Sequence, residues 1–520
     1  MKTMNPADVS WMLTSSALVL LMVPGLALFY AGMVRAKNVL STMMHSMVAL
    51  AIIGVEWVTI GYALAFGDDV GGMGLIGWSS DFVLLSGVTP GQLWPDTGIP
   101  IFVHAMFQGM FAIITPALIS GALAERIRFS RYCLFVAAWG LLVYTPIAHW
   151  VWHPGGWLFK LGALDFAGGT VVHVAAGCSA LVAALILRRR QGFPERPVHP
   201  SSAANTLFGA GLLWFGWFGF NGGSALASTT SAALAFTVTH VAAAAGAMTW
   251  VVVEWRTQAK PTAIGFASGA VAGLVGITPA AGFVSPASAL LIGAATSLIC
   301  FGSVSAMLRF GIDDSLAAFG IHGVGGGFGA LLTGLLASKA LYDPSAGGGW
   351  LIDGNFSQVG VQALGVAATA AFVIPMTATL VKVLDAGAGF TVDAQAEEQG
   401  LDIGEHGELA YDLVADVVTA IEIRPRQANR PPVVVTHLLT LDGIAPAVLS
   451  ERWQALCAAP TPPGDFAAIY PSVARLERTT FRVVGGDAAF AAKHISALFP
   501  TATIRLGEPE VHRLADAKTA

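Results

Sequence analysis

Eleven long apolar segments constrain this chain more than any other feature of its sequence. Each approaches the roughly twenty residues that an α-helix needs to cross a lipid bilayer. Only 11% of the 520 residues are charged, whereas soluble domains carry roughly 25%. The sequence therefore predicts an all-α membrane protein embedded in a lipid bilayer. We expect eleven transmembrane helices, at residues 10–33, 41–66, 99–124, 132–151, 167–187, 203–221, 230–253, 262–279, 286–308, 315–338 and 357–381.

Positive charge is distributed unequally between the two sides of this predicted topology. With the N-terminus outside, the outer loops hold three lysines, Lys2, Lys160 and Lys339, and the long loop 67–98 has no lysine or arginine. The inner loops hold Arg35, Lys37, Arg126, Arg128, Arg131, Arg188, Arg189, Arg190, Arg196, Arg256, Lys260, Arg309 and Lys382. Because cytoplasmic loops are enriched in lysine and arginine, we predict a multi-pass protein of the cell (inner) membrane with a cytoplasmic C-terminus.

The chain carries the same acid-to-histidine spacing twice. Asp165 precedes His173 by eight residues, and Asp314 precedes His322 by eight residues. Five predicted helices precede the loop 188–202 and five follow it before the last, so the sequence predicts a 5+5 inverted repeat. The histidines then occupy equivalent helices, the fifth and the tenth, near the bilayer midplane. Two unrelated buried histidines are the alternative, and the matched acids favour a paired functional site.

Six motifs occur in a recognisable order and at consistent spacing. They are Phe29–Asn38, Gly121–Phe129, Leu164–His173, Trp214–Ser224, Asp313–Gly323 and Gly400–Tyr411. In these motifs the chain resembles the ammonium transporter (Amt/Mep/Rh) family, and the resemblance covers about residues 8–412. It implies a homotrimer that transports ammonium or ammonia.

The resemblance also implies an entry route. Trp152, Ser224 and Phe111 would form a recruitment site, and Phe111 and Phe220 would form a stacked phenyl gate. Trp150 is an alternative to Trp152, because the segment is rich in aromatic residues. A tryptophan of the membrane interface is a further interpretation of Trp152.

Deeper in the membrane, the resemblance implies a histidine relay. His173 and His322 would line the pore, and Trp217 would lie beside its wall. Asp165 would be the acid near the recruitment site, and Asp314 its counterpart in the second half. Each acid precedes a helix, so a capping role and a direct electrostatic role both remain open.

The chemistry of ammonium suits these residue types. An aromatic face attracts a desolvated cation, and a serine hydroxyl accepts a hydrogen bond that ammonium donates but potassium cannot. A dry pore penalises an intact charge. Ammonium avoids this penalty by releasing a proton, and histidine has an intrinsic pKa near neutrality. Whether the proton follows through the pair or returns outside stays open.

The C-terminal part is soluble in character. Residues 383–412 resemble the family's cytoplasmic tail, and residues 413–520 alternate as βαββαβ, which favours a small α+β, ferredoxin-like domain. We expect a regulatory role, with a PII-type protein or a small-molecule effector as the candidate partner. An inert or trimer-stabilising appendage is the alternative.

Three functional hypotheses follow for the whole chain. The leading one is a regulated transporter formed by the transmembrane domain 1–382, the tail and the C-terminal domain. The second is an ammonium sensor that signals through residues 413–520, and a gas channel of the Rh type is the weakest. We expect neither an enzyme nor a cofactor, metal site or nucleic-acid partner. We interpret His45, His104, His149 and His240 as structural.

Overall fold

A computed structural model describes residues 3–195, 198–342, 347–387 and 389–411, together with the backbone of five strands between residues 433 and 513. The chain divides into two compact units, Met1–Ala410 and Tyr411–Ala520. The first unit is mostly helical, and the strands that are described in the second unit form a sheet.

Eleven helices in the first unit coincide with the eleven predicted segments. They are α1 Pro6–Met33, α2 Ala36–Phe66, α3 Ile101–Leu123, α4 Phe129–Lys160 (interrupted at 153–156), α5 Gly169–Ile186, α6 Ala203–Gly223, α7 Thr230–Gln258, α8 Ala263–Ile277, α9 Pro286–Arg309, α10 Phe319–Leu336 and α11 Phe356–Ala386. Shorter elements are the strands β1 Asp68–Asp69 and β2 Gly77–Trp78, the 3-10 helices Val70–Gly72 and Ser80–Leu85, and the helices Trp350–Asp353 and Ala394–Gln399.

Nine of the helices in the described part of the chain are long and apolar enough to cross a membrane. α8 is apolar but has only 15 residues, and α6 does not reach the same apolar level. Nine candidate spans are therefore present, and eleven spans remain a prediction. The core between the helices contains many alanines and glycines, which allow close backbone contacts such as that of α1 with α6.

π-helical turns interrupt four of the membrane helices. They occupy Trp57–Gly61 in α2, Gly140–Tyr144 in α4, Gly169–Val174 in α5 and Phe319–Gly323 in α10. A π-turn accommodates one extra residue and changes the direction of the side chains that follow, and such turns are frequent at functional sites. Two of these four turns contain the predicted pore histidines.

The described end of the tail, residues 389–411, packs on the start of α2. The Asp402 carboxylate accepts hydrogen bonds from Leu40 N (3.0 Å) and Ser41 N (2.8 Å) at the start of α2. The backbone N–H of Leu401 donates to the Asn38 side chain at 2.8 Å. These bonds hold the tail against the first turns of α2.

Five strands are described in the second unit. They are β3 Val433–Asp442, β4 Val473–Arg475, β5 Thr480–Val484, β6 Thr503–Leu506 and β7 Glu510–Arg513. The sheet order is β4-β5-β3-β6, β7 also pairs with β3, and every pair is antiparallel. The predicted helices at 445–459 and 487–498 lie outside the described residues.

Candidate functional site

An aromatic cavity with a volume of about 400 Å³ opens between the helix ends and the loop that precedes α5. Phe111, Trp152, Asp165 and Ser224 line it together. The Ser224 hydroxyl donates to the Phe220 carbonyl oxygen at 2.8 Å. Its oxygen therefore keeps its lone pairs for a ligand that donates hydrogen bonds. The structure thus brings the four predicted side chains to one cavity.

Two phenyl rings, which are close together but tilted rather than stacked as predicted, lie between this cavity and the histidines. The Phe111 and Phe220 ring centroids are 4.3 Å apart with an interplanar angle of 34°. Both side chains are about 1% exposed. Phe111 also contacts the Trp152 ring, with centroids 5.6 Å apart, and Phe220 lies 6.2 Å from the His173 ring. The pair therefore separates the aromatic cavity from His173.

His173 and His322 face each other in a narrow gap, which we call the histidine gap. Their Nδ1 atoms are 3.3 Å apart and their ring centroids 5.3 Å apart. Trp217 stacks on His173 at 5.6 Å and donates its indole N–H to the Thr278 hydroxyl at 2.9 Å. The gap, which Phe220 also lines, has a volume of about 10 Å³, no more than a single water needs. This distance has room for one hydrogen bond between the two Nδ1 atoms, and such a bond requires opposite tautomers of the two rings.

A buried carboxylate holds the π-turn that carries His173. Asp165 accepts hydrogen bonds from Gly168 N (2.8 Å), Gly169 N (2.6 Å) and the backbone N–H and hydroxyl of Thr170. The N–H of His173 donates to the Gly168 carbonyl at 3.0 Å, five residues earlier, as a π-turn requires. Asp165 therefore has the capping role that was one of its two predicted roles.

Asp314 caps the second π-turn in the same way. It accepts hydrogen bonds from Ala318 N (2.9 Å), Phe319 N (2.8 Å) and Gly320 N (3.4 Å). Asp314 also lines a second cavity, of about 320 Å³, with Glu254. We call this the Glu254 cavity, and it does not include Asp165.

Glycines four residues after each histidine bring the two π-turns together. A Cβ atom on Gly177 would lie 2.1 Å from Gly323 N, and a Cβ atom on Gly326 would lie 2.5 Å from the His173 Cβ. Each glycine therefore leaves room for the histidine segment of the other half. Any larger side chain at either position would push the two turns apart.

A buried ion-pair network adjoins Asp314. The neighbouring Asp313 carboxylate binds the guanidinium groups of Arg126 and Arg190, and Arg190 also pairs with Glu125 at 2.9 Å. Burial alone would raise the pKa of Asp313, but Arg126 and Arg190 outweigh it and lower the pKa. Burial would likewise raise the pKa of Glu125, but the charge of Arg190 opposes it, and the pKa of Glu125 is also lowered. Both acids are therefore held ionised.

Three further residues also line the aromatic cavity: Trp94 and Gln108, which sequence reasoning did not assign, and His104, which it interpreted as structural. His104 stacks on Trp94 with ring centroids 4.0 Å apart, and its Nδ1 lies 3.0 Å from the Tyr62 hydroxyl. Gln108 precedes Phe111 by one helical turn, which is the signal that could have identified it. Trp150 does not line this cavity, and its indole N–H donates to the Leu75 carbonyl at 2.7 Å.

The membrane-length helices around a buried aromatic and histidine core define a multi-pass membrane protein. Residues 10–411 match the model of the Ammonium Transporter Family. The chain belongs to this family. It is 44% identical over 408 residues to ammonium transporter Amt1 of Archaeoglobus fulgidus, which covers 78% of this chain and 100% of that protein.

Solved structures give the same fold. The crystal structure of Saccharomyces cerevisiae Mep2 aligns with a TM-score of 0.71 and 38% identity, over 76% of this chain and 89% of Mep2. A structure titled "Sensor Amt Protein" aligns with a TM-score of 0.70 and 28% identity, over 77% of this chain and 98% of that protein.

Proposed function

We propose that this protein moves ammonium across a membrane as ammonia, through the histidine gap between the aromatic cavity and the Glu254 cavity. The observation that carries this proposal is the Nδ1–Nδ1 distance of 3.3 Å between His173 and His322 in a gap of about 10 Å³. A space of this size excludes a hydrated ion, whereas neutral ammonia needs no hydration shell. Family membership and the name of the Archaeoglobus relative support ammonium as the substrate.

The first step is recruitment of the cation in the aromatic cavity. The faces of Phe111 and Trp152 attract the charge, and the Ser224 oxygen accepts one of the ion's hydrogen bonds. Potassium has the same charge but no hydrogen to donate. Selectivity at this step therefore comes from directional acceptors, and charge alone would not provide it.

The second step is transfer of a proton from ammonium as it leaves this cavity. The hydrogen-bonded pair of His173 and His322 holds one imidazole acceptor and one donor, and a proton that enters at one ring can leave from the other. Asp165 and Asp314 keep the two π-turns, and hence the two rings, in this arrangement. Potassium has no proton to release and is rejected in the same gap.

The topology belongs to the same proposal. We propose a homotrimer of chains with eleven spans, the N-terminus outside and the tail in the cytoplasm. The unequal distribution of lysine and arginine supports this orientation. The reciprocal contacts of Gly177 and Gly326 support a 5+5 inverted repeat, because an inverted repeat places equivalent residues in equivalent contacts.

We propose that residues 413–520 form a ferredoxin-like regulatory domain for a small-molecule effector or a PII-type protein. Support comes from the antiparallel order β4-β5-β3-β6, because a βαββαβ chain in this fold places its first strand between the third and the fourth. The Asp402 bonds to α2 give the tail a direct contact with the membrane helices.

An ammonium sensor is the second candidate. The similarity to the structure titled "Sensor Amt Protein" favours it, as does the presence of a second compact unit after the tail. A sensor needs the recruitment site but does not have to move ammonium across the membrane. The ammonium flux therefore distinguishes the two functions.

Proteoliposomes containing the full chain test both candidates. Ammonium-evoked current and internal pH are recorded together, with potassium and protein-free liposomes as controls. A saturable current selective for ammonium supports a transporter in which the proton follows, and alkalinisation without current supports a transporter in which it returns outside. If neither signal exceeds the controls although ammonium binds, we reject transport by the full chain. Recovery of flux on deletion of 413–520 then identifies a closed pore, whereas continued absence of flux favours a sensor.

A further inference from the structure

The last helix, α11, lies outside the two predicted five-helix repeats, yet it packs against both helices that carry the pore histidines. It contacts α5, with His173, and α10, with His322. A glutamine side chain lies at this three-helix junction. Gln362 is 3% exposed, and Gly334 of α10 leaves the space for it, since a Cβ on Gly334 would be 3.0 Å from the Gln362 Cγ.

The amide of Gln362 uses its full hydrogen-bonding capacity. Its Oε1 accepts from Leu164 N at 2.8 Å and from the Gln358 side chain at 3.3 Å. Its Nε2 donates to the Leu164 carbonyl at 2.7 Å and to the Ala330 carbonyl at 3.2 Å. If the amide were flipped, its NH2 group would face the Leu164 N–H, and its oxygen would face the Leu164 carbonyl oxygen. The contacts therefore determine a single orientation.

Both bonds to Leu164 act on the backbone directly before Asp165. The Asp165 carbonyl is held in turn by the Trp152 indole at 3.0 Å, and the next N–H, of Phe166, by the Pro279 carbonyl at 3.1 Å. Leu164, Asp165 and Phe166 line the aromatic cavity. Because this stretch is not helical, no helical hydrogen bonds hold its backbone. The two hydrogen bonds from the Gln362 side chain hold the backbone of Leu164 instead.

We propose that Gln362 is a positioning residue for ammonium recruitment, which sets the wall of the aromatic cavity by clamping Leu164 from the last helix. This inference rests on the proposed transport function. Gln362 does not line the cavity and does not contact the ion. Its effect on the ion passes through the backbone of residues 164–166 and through Asp165.

Gln358 is the matched control on the same helix. It is 5% exposed, one turn before Gln362, and its Nε2 donates to the Gly162 carbonyl at 2.9 Å. Its removal costs the bond to Gly162 and the 3.3 Å bond that it donates to the Gln362 Oε1, but leaves both bonds between Gln362 and Leu164 in place. A general weakening of α11 would affect both variants alike, whereas a positioning role would affect Gln362 alone.

The test measures ammonium-evoked signals in proteoliposomes for wild type, Gln362→Met and Gln358→Met. Methionine keeps the length of the side chain and removes its hydrogen bonds. We expect Gln362→Met to raise the half-saturating ammonium concentration by about tenfold, equivalent to about 1.4 kcal/mol of binding free energy. The plateau per folded transporter is expected to stay within a factor of about two, because the histidine gap is untouched. Gln358→Met should match wild type in both quantities.

Gln362→Glu provides a second variant if the methionine protein does not fold. It keeps the shape and the acceptor for Leu164 N but loses the amide donors, so we expect a similar rise in half-saturation. The proposal is overturned if the Gln362 variant that folds keeps the wild-type half-saturation, or if both glutamine positions shift it equally. A wild-type chain without any saturable ammonium signal would instead overturn the proposed transport function, which the same experiment shows separately.

Discussion

The two acid-to-histidine segments share one local structure and differ in what surrounds it. In both, a carboxylate caps a π-turn that ends one residue after a histidine, Asp165 for His173 and Asp314 for His322. The first carboxylate also binds the Thr170 hydroxyl and lines the aromatic cavity. The second lines the Glu254 cavity and follows the ion-paired Asp313 in sequence.

This difference shows that the capped π-turn is independent of the residues that surround it. The cap and the glycine that follows each histidine at the fourth position are what the paired rings require. The surroundings are specific to each side, with aromatic side chains at one end of the proposed route and buried ion pairs near the other. Substitutions that affect both segments equally should therefore act on the relay, and unequal ones on the surroundings.

The largest effect is expected from the histidines, where the two segments should be equivalent. His173→Ala and His322→Ala each remove one member of the proposed relay and open the gap. We expect each to lower ammonium-selective flux by about 100-fold or to abolish selectivity against potassium, as for loss of a general acid–base group. Paired ammonium and potassium flux assays measure this. If both variants behave as wild type, the proposed relay is refuted. If only one of them does, the two histidines are not equivalent.

A large effect confined to the second segment is expected from Asp313→Asn. Removing one partner from a buried ion-pair network costs about 3–5 kcal/mol. Because ion pairing lowers the pKa of Asp313, its stabilisation is complete above the ordinary aspartate pKa of about 3.9 and is lost as pH falls through the lower folded pKa. Thermal unfolding in detergent, from pH 7 to pH 3, measures this. The variant should have a lower melting temperature than wild type at pH 7, and its melting temperature should fall less between pH 7 and pH 3.

The acids themselves should respond unequally. Asp165→Asn and Asp314→Asn keep the shape but place an amide against backbone N–H groups. Hydrogen bonds to a charged group contribute about 1.5–3 kcal/mol, and Asp165 accepts more of them. We expect faster hydrogen exchange at Gly168–Val171 in the first variant than at Ala318–Gly320 in the second. Equal exchange in the two would contradict the asymmetry described above.

A smaller effect is expected from Gly177→Ala, which tests the contact between the segments. The added Cβ would lie 2.1 Å from Gly323 N, and overpacking typically costs about 1–3 kcal/mol. Gly302→Ala in α9 is the matched control, because a Cβ there meets nothing within 4 Å. The melting temperature should fall for the first and stay level or rise for the second. A Gly177 variant as stable as the control would contradict close packing of the two turns.

The smallest effect on the membrane unit is expected from deletion of residues 413–520. The first unit, Met1–Ala410, has its own core and its own tail contacts. We expect the truncated chain to remain folded, with a single symmetric elution peak and an unchanged melting temperature in detergent. Aggregation of the truncated chain would mean that these residues are structural.

Much of the helical arrangement could be predicted, because an apolar run of membrane length leaves the backbone little choice except a helix. All eleven predicted segments form helices, although only nine satisfy the length and composition of a span. The π-turns were not predictable. Gly169–Val174 has the same apolar composition as an α-helical turn, and its geometry depends on Asp165 and on the packing of the other half.

The candidate site divides in the same way. The spacing of Asp165 and Asp314 from their histidines identified the pair, whereas the sequence left Trp150 and Trp152 as alternatives. Gln362 carried no signal, because a single glutamine in an apolar run reveals neither its depth nor its partner Leu164, 198 residues away. Contacts of this kind exist only once the fold is formed.

The histidine gap has a consequence for the cell that would contain this protein. A passage with space for no more than about one water carries neither bulk water nor hydrated ions. In the proposed function, many copies could therefore stay open at once without collapsing the potassium gradient or the osmotic balance across the membrane. Such a protein needs no gate to protect the cell from leakage, so control through its C-terminal part would serve to limit nitrogen uptake alone.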